Sequence, residues 1–559
     1  MVYCVANNIL SPLGMTTAEN YQAVKSVRSA LQRYEHHWGL PDAFTASLFS
    51  EEQNRQLQIA GLTRFESLAV RSVQRALSQT TLDVASPRVA FILSTTKANI
   101  EQLMQGTDSN PATAAQHIVT AIGVTTQPVV VCNACISGVS AIVLAERLLE
   151  AGDYDYAIVC GADVQNVFTV SGFQSLKAVA EDDCRPFDIE RLGLNLGEAA
   201  ATMVLQRQPV DGAWRIARGA IRNDGYHISS PSKYGEGAYQ ALRAVVGQTN
   251  PKQLAFINVH GTATMFNDQM ESVAIERARL HDIPVNGYKG YFGHTLGAAG
   301  VLETILSMAA ADDHTVLGTR GYSERGVSGK IKLSAAHATS QQKAFVKMIS
   351  GFGGCNGALL VTKHAIEEQR PPVSYRKTHE LLLTPQKLVI DGQQLDEASA
   401  EGKWLTQLYK EHIGDYPKFY KMDGLSRLGF VASELLLKSD VNELKAGRDD
   451  RAIVLCNHSS SIAADRKYLA SIAFPSPSVF VYTLPNIVTG EIAIRHQYHG
   501  ETSFYILPER NETLMHQLFA SAFADEHTTS LLGGWLDYED SQHFEAALWI
   551  AQREEHNNE

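Results

Sequence analysis

The stretch from Pro128 to Glu146 constrains the fold of this 559-residue chain more than any other. The β-branched run Val129-Val130-Val131 predicts a buried strand, and apolar residues from Val139 onward recur at helical spacing. Cys135 lies in the turn between them. A thiol at the start of a helix meets unpaired backbone N–H groups and the positive end of the helix dipole, which favour the thiolate. The stretch therefore predicts a strand, a turn and a helix, with either a nucleophilic or a buried structural cysteine in the turn.

The remaining chain up to about residue 365 alternates strand-like and helical patterns. Buried-type strands are predicted over residues 89–93, 156–161, 199–205, 254–260 and 358–362. Helical spacing is found over residues 62–77, 112–122 and 267–279. This alternation is typical of a layered α/β protein, and the length calls for two or more core units.

Composition excludes several classes of protein. The net charge of −12 disfavours nucleic acid as a partner. The sequence has neither the pattern of a secretory signal nor a run of the ~20 apolar residues that a membrane span needs, so a cytoplasmic protein is expected. Seven scattered cysteines argue against a disulfide framework.

Two histidines accompany the cysteine. His260 ends a predicted strand, and His294 lies in a glycine-rich turn that opens a helix of small and apolar residues. Either one alone would more often be a hydrogen-bonded structural histidine. Together with Cys135 they predict an acyl-transfer site. Cys132 and Cys135 also form a Cys-x-x-Cys pair, but no second pair supplies further ligands, so no metal site is predicted.

Five motifs occur in an order and spacing that resemble the β-ketoacyl-acyl carrier protein synthases, elongating condensing enzymes of the thiolase fold. The resemblance covers roughly residues 1–365. The motifs are Ala134-Cys135-Ile136-Ser137-Gly138, Arg185-Pro186-Phe187-Asp188, His260-Gly261-Thr262-Ala263-Thr264 with Asn267-Asp268 and Glu271, Lys289 five residues before His294, and Phe352-Gly353-Gly354-Cys355-Asn356.

The resemblance implies an α/β protein with a five-layer α-β-α-β-α fold. Two similar halves, residues 1–208 and 209–365, would form the condensing domain. The implied partners are acyl carrier protein and a second synthase-like subunit, in a homodimer or a heterodimer. No cofactor would be held by the chain itself, because the phosphopantetheine arrives on the carrier protein.

The same resemblance implies the chemistry of the site. Cys135 would take an acyl group, and His260 and His294 would stabilise the enolate formed when malonyl-acyl carrier protein loses CO₂. Two neutral imidazoles that donate hydrogen bonds in a water-poor site suit this task. Lys289, supported by Glu271, would set the local electrostatics and the protonation state of the histidines.

The resemblance also assigns residues around the reacting atoms. The N–H groups of Cys135 and Phe352 would form the oxyanion hole, and the Phe352 ring would gate the acyl pocket. Thr262 and Thr264 would bind the phosphopantetheine arm, and Asp268 would support the site. Two departures leave acyl chain length open. Arg191-Leu192-Gly193 stands where the family commonly has Arg-Asp-Gly, and Gly197-Glu198-Ala199-Ala200-Ala201 stands where it commonly has Gly-Glu-Gly-Ala-Gly.

The predicted function is decarboxylative Claisen condensation in fatty acid or polyketide/polyene biosynthesis. One alternative is a non-catalytic chain-length or scaffold partner of another synthase, against which the intact cysteine and histidines weigh. The other is a coenzyme A-dependent thiolase-type acyltransferase. Gly293-His294-Thr295 favours the elongating class over that one.

The chain continues well beyond a condensing domain. Residues 366–416, with Pro371-Pro372, predict a polar, charge-rich connector with some helix. Residues 417–559 resemble the first half of the condensing domain: Phe504-Tyr505-Ile506-Leu507 aligns with Val129-Val130-Val131-Cys132, and Arg510 falls where Cys135 stands. The prediction is a half-thiolase-like domain without catalytic residues; the alternative is an unrelated α/β appendage.

Overall fold

The structure is a computed structural model that describes residues 1–364, 373–397, 403–440 and 447–554. The strands are β1 Val2–Leu10, β2 Gln32–Tyr34, β3 Phe44–Ser47, β4 Val89–Ser94, β5 Val129–Val131, β6 Tyr156–Asp163, β7 Leu196–Gly197, β8 Ala199–Gln206, β9 Trp214–Asn223, β10 Phe256–Asn258, β11 Pro284–Asn286, β12 Thr315–Val316, β13 Lys332–Leu333, β14 Ala338–Thr339, β15 Ala344–Gly351, β16 Cys355–Thr362, β17 Tyr375–Leu383, β18 Lys387–Ile390, β19 Gln393–Glu397, β20 Arg451–Asn457, β21 Thr502–Ile506, β22 Ser530–Tyr538 and β23 Phe544–Arg553.

The α-helices lie between these strands. They are α1 Thr17–Lys25, α2 Glu51–Leu57, α3 Arg64–Leu77, α4 Ile100–Met104, α5 Pro111–Ile122, α6 Ser137–Ala151, α7 Val167–Ser175, α8 Glu236–Val246, α9 Met265–Arg277, α10 Lys289–Phe292, α11 Ala299–Asp312, α12 Trp404–His412, α13 Gly424–Leu437, α14 Ile462–Ala470, α15 Pro477–Val481, α16 Ile487–His496 and α17 Glu512–Ala522.

One five-strand order occurs three times along the chain. The first copy runs β1-β8-β6-β4-β5, with two antiparallel pairings followed by two parallel ones. The second copy, β9-β16-β15-β10-β11, has the same sequence of pairings. The third, β17-β23-β22-β20-β21, repeats it again. We call the part of the chain that carries the third copy, the described residues between 373 and 554, the C-terminal module.

The C-terminal module joins the first copy edge to edge. Strand β21 pairs antiparallel with β5, and the partners are Val131 with Tyr505 and Val130 with Ile506. The sequence alignment equates Tyr505 with Val130 and Ile506 with Val131. Exchanging the two copies therefore leaves the pairing unchanged, which is the register that a local twofold axis produces.

Helices α6 and α11 form the middle layer of the condensing domain. Every residue of α6 from Ser137 to Leu149 is buried, and α11 packs against both α6 and the sheet. Helices α3 and α5 cover the outer face of the first sheet, and α8 and α9 cover the second. The predicted five-layer fold is confirmed. Helix α17 of the C-terminal module also packs on α6.

The segment 366–416 differs from the predicted connector. It contains β17, β18 and β19, and β17 forms the edge of the third sheet by pairing with β23. Most of the residues from Tyr375 to Glu380 are polar and exposed, and only the last three residues of the strand, Leu381 to Leu383, are apolar, so its sequence lacks the longer apolar run that marks the buried strands. Pro371 and Pro372 lie outside the described residues.

None of the helices in the described ranges is both long enough and apolar enough to cross a membrane.

Candidate functional site

The turn before α6 places Cys135 at the bottom of a pocket. Strand β5 ends at Val131, and a short 3₁₀ turn, Ala134–Ile136, leads into α6. Ala134 adopts a φ of +47°, in the left-handed region, so the chain bends sharply at the residue before the cysteine. Cys135 keeps partial exposure, whereas its neighbours are buried. The sulfur is thus presented to the pocket at the start of the helix.

The three predicted reacting groups lie together. The sulfur of Cys135 and one ligand nitrogen from each of His260 and His294 are all within 4.8 Å of one another. The two imidazole rings are 4.9 Å apart and nearly perpendicular, at 82°. Residues that are up to 159 positions apart in the sequence therefore face one point.

Local contacts fix the tautomer of His294. Its Nδ1 accepts a hydrogen bond from the Leu296 N–H at 3.2 Å, so the proton of the neutral ring lies on Nε2. That Nε2 is buried and has no hydrogen-bond partner among the described residues, and the same holds for Nδ1 of His260. A buried donor without a partner is costly, so the Nε2–H of His294 is available to a ligand in the pocket.

Burial and charge keep both histidines neutral. Burial lowers the pKa of His260 and of His294 well below 6.5, and the nearby ammonium groups of Lys289 and Lys347 lower it further. Two neutral N–H donors can stabilise an oxyanion without being consumed as acids. The same positive surroundings oppose a metal cation at these three groups.

The pKa of Cys135 differs from the sequence-based expectation. Burial raises the pKa of the thiol to about 12, and the Lys289 ammonium opposes that rise. The resting group is therefore a thiol, because desolvation outweighs the favourable surroundings of the helix start. The proton must leave when the sulfur attacks.

A buried ion network stands behind the histidines. Glu303 on α11 accepts hydrogen bonds from Lys289 Nζ at 2.8 Å and from Lys347 Nζ at 2.5 Å. Burial would raise the pKa of Glu303, but the two lysines together hold it below 4.5. The sequence reasoning missed Glu303 and Lys347. A lysine in the middle of the otherwise apolar strand β15 was the available signal.

Glu271 does not pair with Lys289, although the sequence analysis expects it to support that lysine. Its oxygens accept hydrogen bonds from the N–H groups of His260 and Gly261, at 2.6 and 2.8 Å, whereas the carboxylate paired with Lys289 is Glu303. Asp268 similarly binds the N–H of Thr262 at 3.0 Å. Burial raises the pKa of Glu271 to about 7 and that of Asp268 to about 6. Both carboxyl groups order the loop that carries His260.

The pocket above the cysteine has a volume of about 360 Å³. Thr262 and Thr264 line it, and their hydroxyl oxygens are 2.9 Å apart. Phe352 lines it too and stacks on Phe173, with ring centroids 6.1 Å apart. Thr262, Thr264 and Phe352 therefore line the same pocket as Cys135.

The C-terminal module reaches the wall behind this pocket. Phe480 packs edge-on against Phe173, with ring centroids 5.3 Å apart. A methyl group on Gly172 would lie 2.1 Å from the Phe480 ring. The sequence gave no signal for this contact, because the two residues are about 300 positions apart.

Comparison with known proteins agrees with the arrangement. Residues 89–210 match the β-ketoacyl synthase N-terminal domain, and residues 214–323 match the β-ketoacyl synthase C-terminal domain. Nodulation protein E of Rhizobium meliloti is 30% identical over 271 residues, which are 46% of this chain and 67% of that protein. The 3-oxoacyl-[acyl-carrier-protein] synthase 2 of Rhizobium meliloti (strain 1021) is 32% identical over 259 residues, 42% of this chain and 60% of that protein.

Solved structures share the fold. The PfaC keto synthase-chain length factor matches 99% of this chain and 78% of its own, with a TM-score of 0.76 and 14% identity. The ketosynthase ApeO in complex with its chain length factor ApeC, from Xenorhabdus doucetiae, matches 65% of this chain and 97% of its own, with a TM-score of 0.56 and 24% identity. From these matches, and from the cysteine and two histidines that meet in the pocket, the chain belongs to the β-ketoacyl synthase family of condensing enzymes.

Proposed function

We propose that this chain is a β-ketoacyl-acyl carrier protein synthase. The observation that carries the proposal is the meeting of the Cys135 sulfur with two neutral imidazoles within 4.8 Å, at the end of an apolar pocket. A thiol supplies the nucleophile, and the imidazoles supply donors for a developing oxyanion.

The first step is transfer of the acyl group. The Cys135 sulfur attacks the acyl thioester carbonyl and loses its proton, a new carbon–sulfur bond forms, and the carrier thiol leaves with a proton. In the tetrahedral intermediate the oxygen would accept hydrogen bonds from the N–H groups of Cys135 and Phe352. Because the pKa of the Cys135 thiol is raised, the thiol loses its proton during this step and not before it.

The second step makes the carbon–carbon bond. The bond between the malonyl carboxylate and the α-carbon breaks, CO₂ leaves, and the electron pair remains as an enolate. His260 and His294 donate hydrogen bonds to the enolate oxygen, and burial together with the ammonium groups of Lys289 and Lys347 keeps both rings neutral. The enolate carbon attacks the acyl group, and the Cys135 sulfur leaves and regains a proton.

The proposed partner is an acyl carrier protein, whose phosphopantetheine enters past Thr262 and Thr264; the chain itself would hold no cofactor. Exposed Leu192 and Phe266 line the pocket mouth and offer apolar surface to such a partner. Strand β5 is bonded to β4 on one edge and to β21 on the other. A homodimer or heterodimer would therefore have to use another surface. A cytoplasmic location belongs to the same proposal.

Three variants test the function. Cys135→Ala should abolish acyl loading from acyl-acyl carrier protein, followed by the mass of the intact protein. Cys135→Gln should release CO₂ from malonyl-acyl carrier protein without forming a condensation product. His294→Ala should lose that release as well, by about 10²-fold or more, because an oxyanion donor is removed.

Cys132→Ala is the matched control, since it removes a buried thiol three residues away that does not face the pocket. Loading that persists in Cys135→Ala, or that disappears equally in Cys132→Ala, would contradict the assignment.

A further inference from the structure

The C-terminal module contacts the turn Phe352-Gly353-Gly354, which lies next to Cys135. Asn486, just before α16, donates a hydrogen bond from Nδ2 to the Phe352 carbonyl at 2.9 Å. The same atom is 3.8 Å from the Cys355 sulfur. Phe352 is the residue whose N–H the proposed function places in the oxyanion hole, so a distant part of the chain touches the reacting region.

The backbone of α16 is in close contact with the backbone of the turn Phe352-Gly353-Gly354. Gly490 on α16 faces Gly353 so closely that a methyl group on Gly490 would lie 2.6 Å from the Gly353 carbonyl oxygen. A methyl group on Gly353 would lie 2.7 Å from Nδ2 of Asn486, and Gly353 has a φ of +90°. The first turn of α16 therefore limits how far this backbone can move.

The condensing domain holds the other side of the same turn. The Gly353 N–H donates to the Ile228 carbonyl at 2.7 Å, and Nδ2 of Asn223 donates to the Gly353 carbonyl at 2.8 Å. Asn223 also bonds the Thr502 hydroxyl in β21, at 3.1 Å. The turn is clamped between the two parts of the chain.

The burial of Asn486 costs free energy. It is 2% exposed, and its Oδ1 has no hydrogen-bond partner among the described residues. A buried, unsatisfied amide oxygen costs about 1–3 kcal/mol. An apolar residue of similar size would avoid that cost but would lose the hydrogen bond to the Phe352 carbonyl.

We infer that Asn486 is a positioning residue for acyl transfer, through which the C-terminal module holds the Phe352 turn in the geometry of the oxyanion hole. The inference rests on the proposed function. Asn486 touches no reacting atom; it fixes the carbonyl of the residue whose N–H would bind the oxyanion. Within the described residues, Asn486 forms no hydrogen bond to His260 or His294, the two histidines that would serve decarboxylation.

The test compares two half-reactions in Asn486→Ala. Loading of Cys135 from an acyl-acyl carrier protein should slow by about tenfold, because a small displacement of an oxyanion donor weakens stabilisation without removing it. Release of CO₂ from malonyl-acyl carrier protein, measured with Cys135→Gln as the background, should change less than twofold. Gly490→Ala should show the same selective loss, because its methyl group would push on Gly353.

Asn511→Ala is the control. Asn511 also bridges the module to the condensing domain, by a 2.8 Å hydrogen bond to Gln127, but it lies at the start of α17 and not at the turn. It should leave the ratio of the two rates unchanged. Should the alanine variant be unstable, Asn486→Ser, whose hydroxyl is too short to reach the carbonyl, gives the same comparison.

Parallel loss of both half-reactions in Asn486→Ala and Gly490→Ala would overturn the inference, since it would indicate general damage. Unchanged loading would overturn it as well. A wild-type protein that loads no acyl group would instead refute the proposed function, so the two failures are distinguishable.

Discussion

Glu501→Gln should destabilise the whole protein, because this carboxylate is one half of a buried ion pair between the module and the condensing domain. Arg147 on α6 and Glu501 are 2.7 Å apart, and their side chains are 2% and 1% exposed. Two further pairs span the same junction, each at 2.5 Å: Lys97 with Asp465, which is buried, and Arg222 with Asp525, which is partly buried. In all three the condensing domain supplies the cation.

The magnitude follows from the separation and the burial. Two unit charges 2.7 Å apart at an effective dielectric constant of about 20 attract by ~6 kcal/mol, of which desolvation cancels a part. Removing one partner of a buried pair costs about 3–5 kcal/mol. Glutamine can still accept the 2.9 Å hydrogen bond from the Ser503 hydroxyl, so a loss near the lower end, about 3 kcal/mol, is expected.

The assay is urea unfolding followed by tryptophan fluorescence and by acyl loading. Both signals should shift to lower urea together, because the sheet is continuous through β5 and β21. Glu512→Gln is the control: it removes one of the two carboxylate partners of exposed Arg510, a pair worth about 0–1 kcal/mol. In the double variant Arg147→Met with Glu501→Gln, much of the loss should be recovered, because the cation that Glu501→Gln leaves without its carboxylate is removed as well.

A change in the free energy of unfolding of Glu501→Gln no larger than that of Glu512→Gln would refute this reasoning. So would a loss of module structure that leaves the condensing domain folded.

Two other predictions concern the interior of the condensing domain. Burial lowers the pKa of Lys347 from 10.5 to about 8, with Glu303 opposing, so the folded protein binds fewer protons than the unfolded chain between those pH values. The free energy of unfolding of wild type minus that of Lys347→Met should therefore increase from pH 8 to pH 10 in urea titrations at each pH; the same pH dependence in both proteins would contradict the prediction. Gly172→Ala should cost about 1–3 kcal/mol by overpacking against Phe480, and Phe480→Leu should restore much of the loss in thermal unfolding; a Gly172→Ala protein as stable as wild type would contradict the contact.

The sequence was sufficient for the fold of the first 365 residues and for the identity of the groups that meet in the pocket. Strand runs such as 89–93 and the helix over 62–77 are close to β4 and α3, because burial on a sheet or on one helix face leaves a local periodicity. The alignment of Phe504-Tyr505-Ile506-Leu507 with the strand before Cys135 identified β21 as the counterpart of β5, but it did not predict that the two strands pair with each other. The roles of Cys135, His260 and His294 remain proposals that the variants above test.

Only the tertiary structure decided which groups surround those residues. It gave Lys289 a partner in Glu303 and not Glu271, placed β17 in the third sheet, and brought Asn486 to the Phe352 turn. The thiol pKa of Cys135 also depended on it, because burial comes from the whole surrounding chain and outweighs the local helix start. Periodicity reports whether a side chain is buried, but not which distant residue it meets; that depends on how the three sheets are joined.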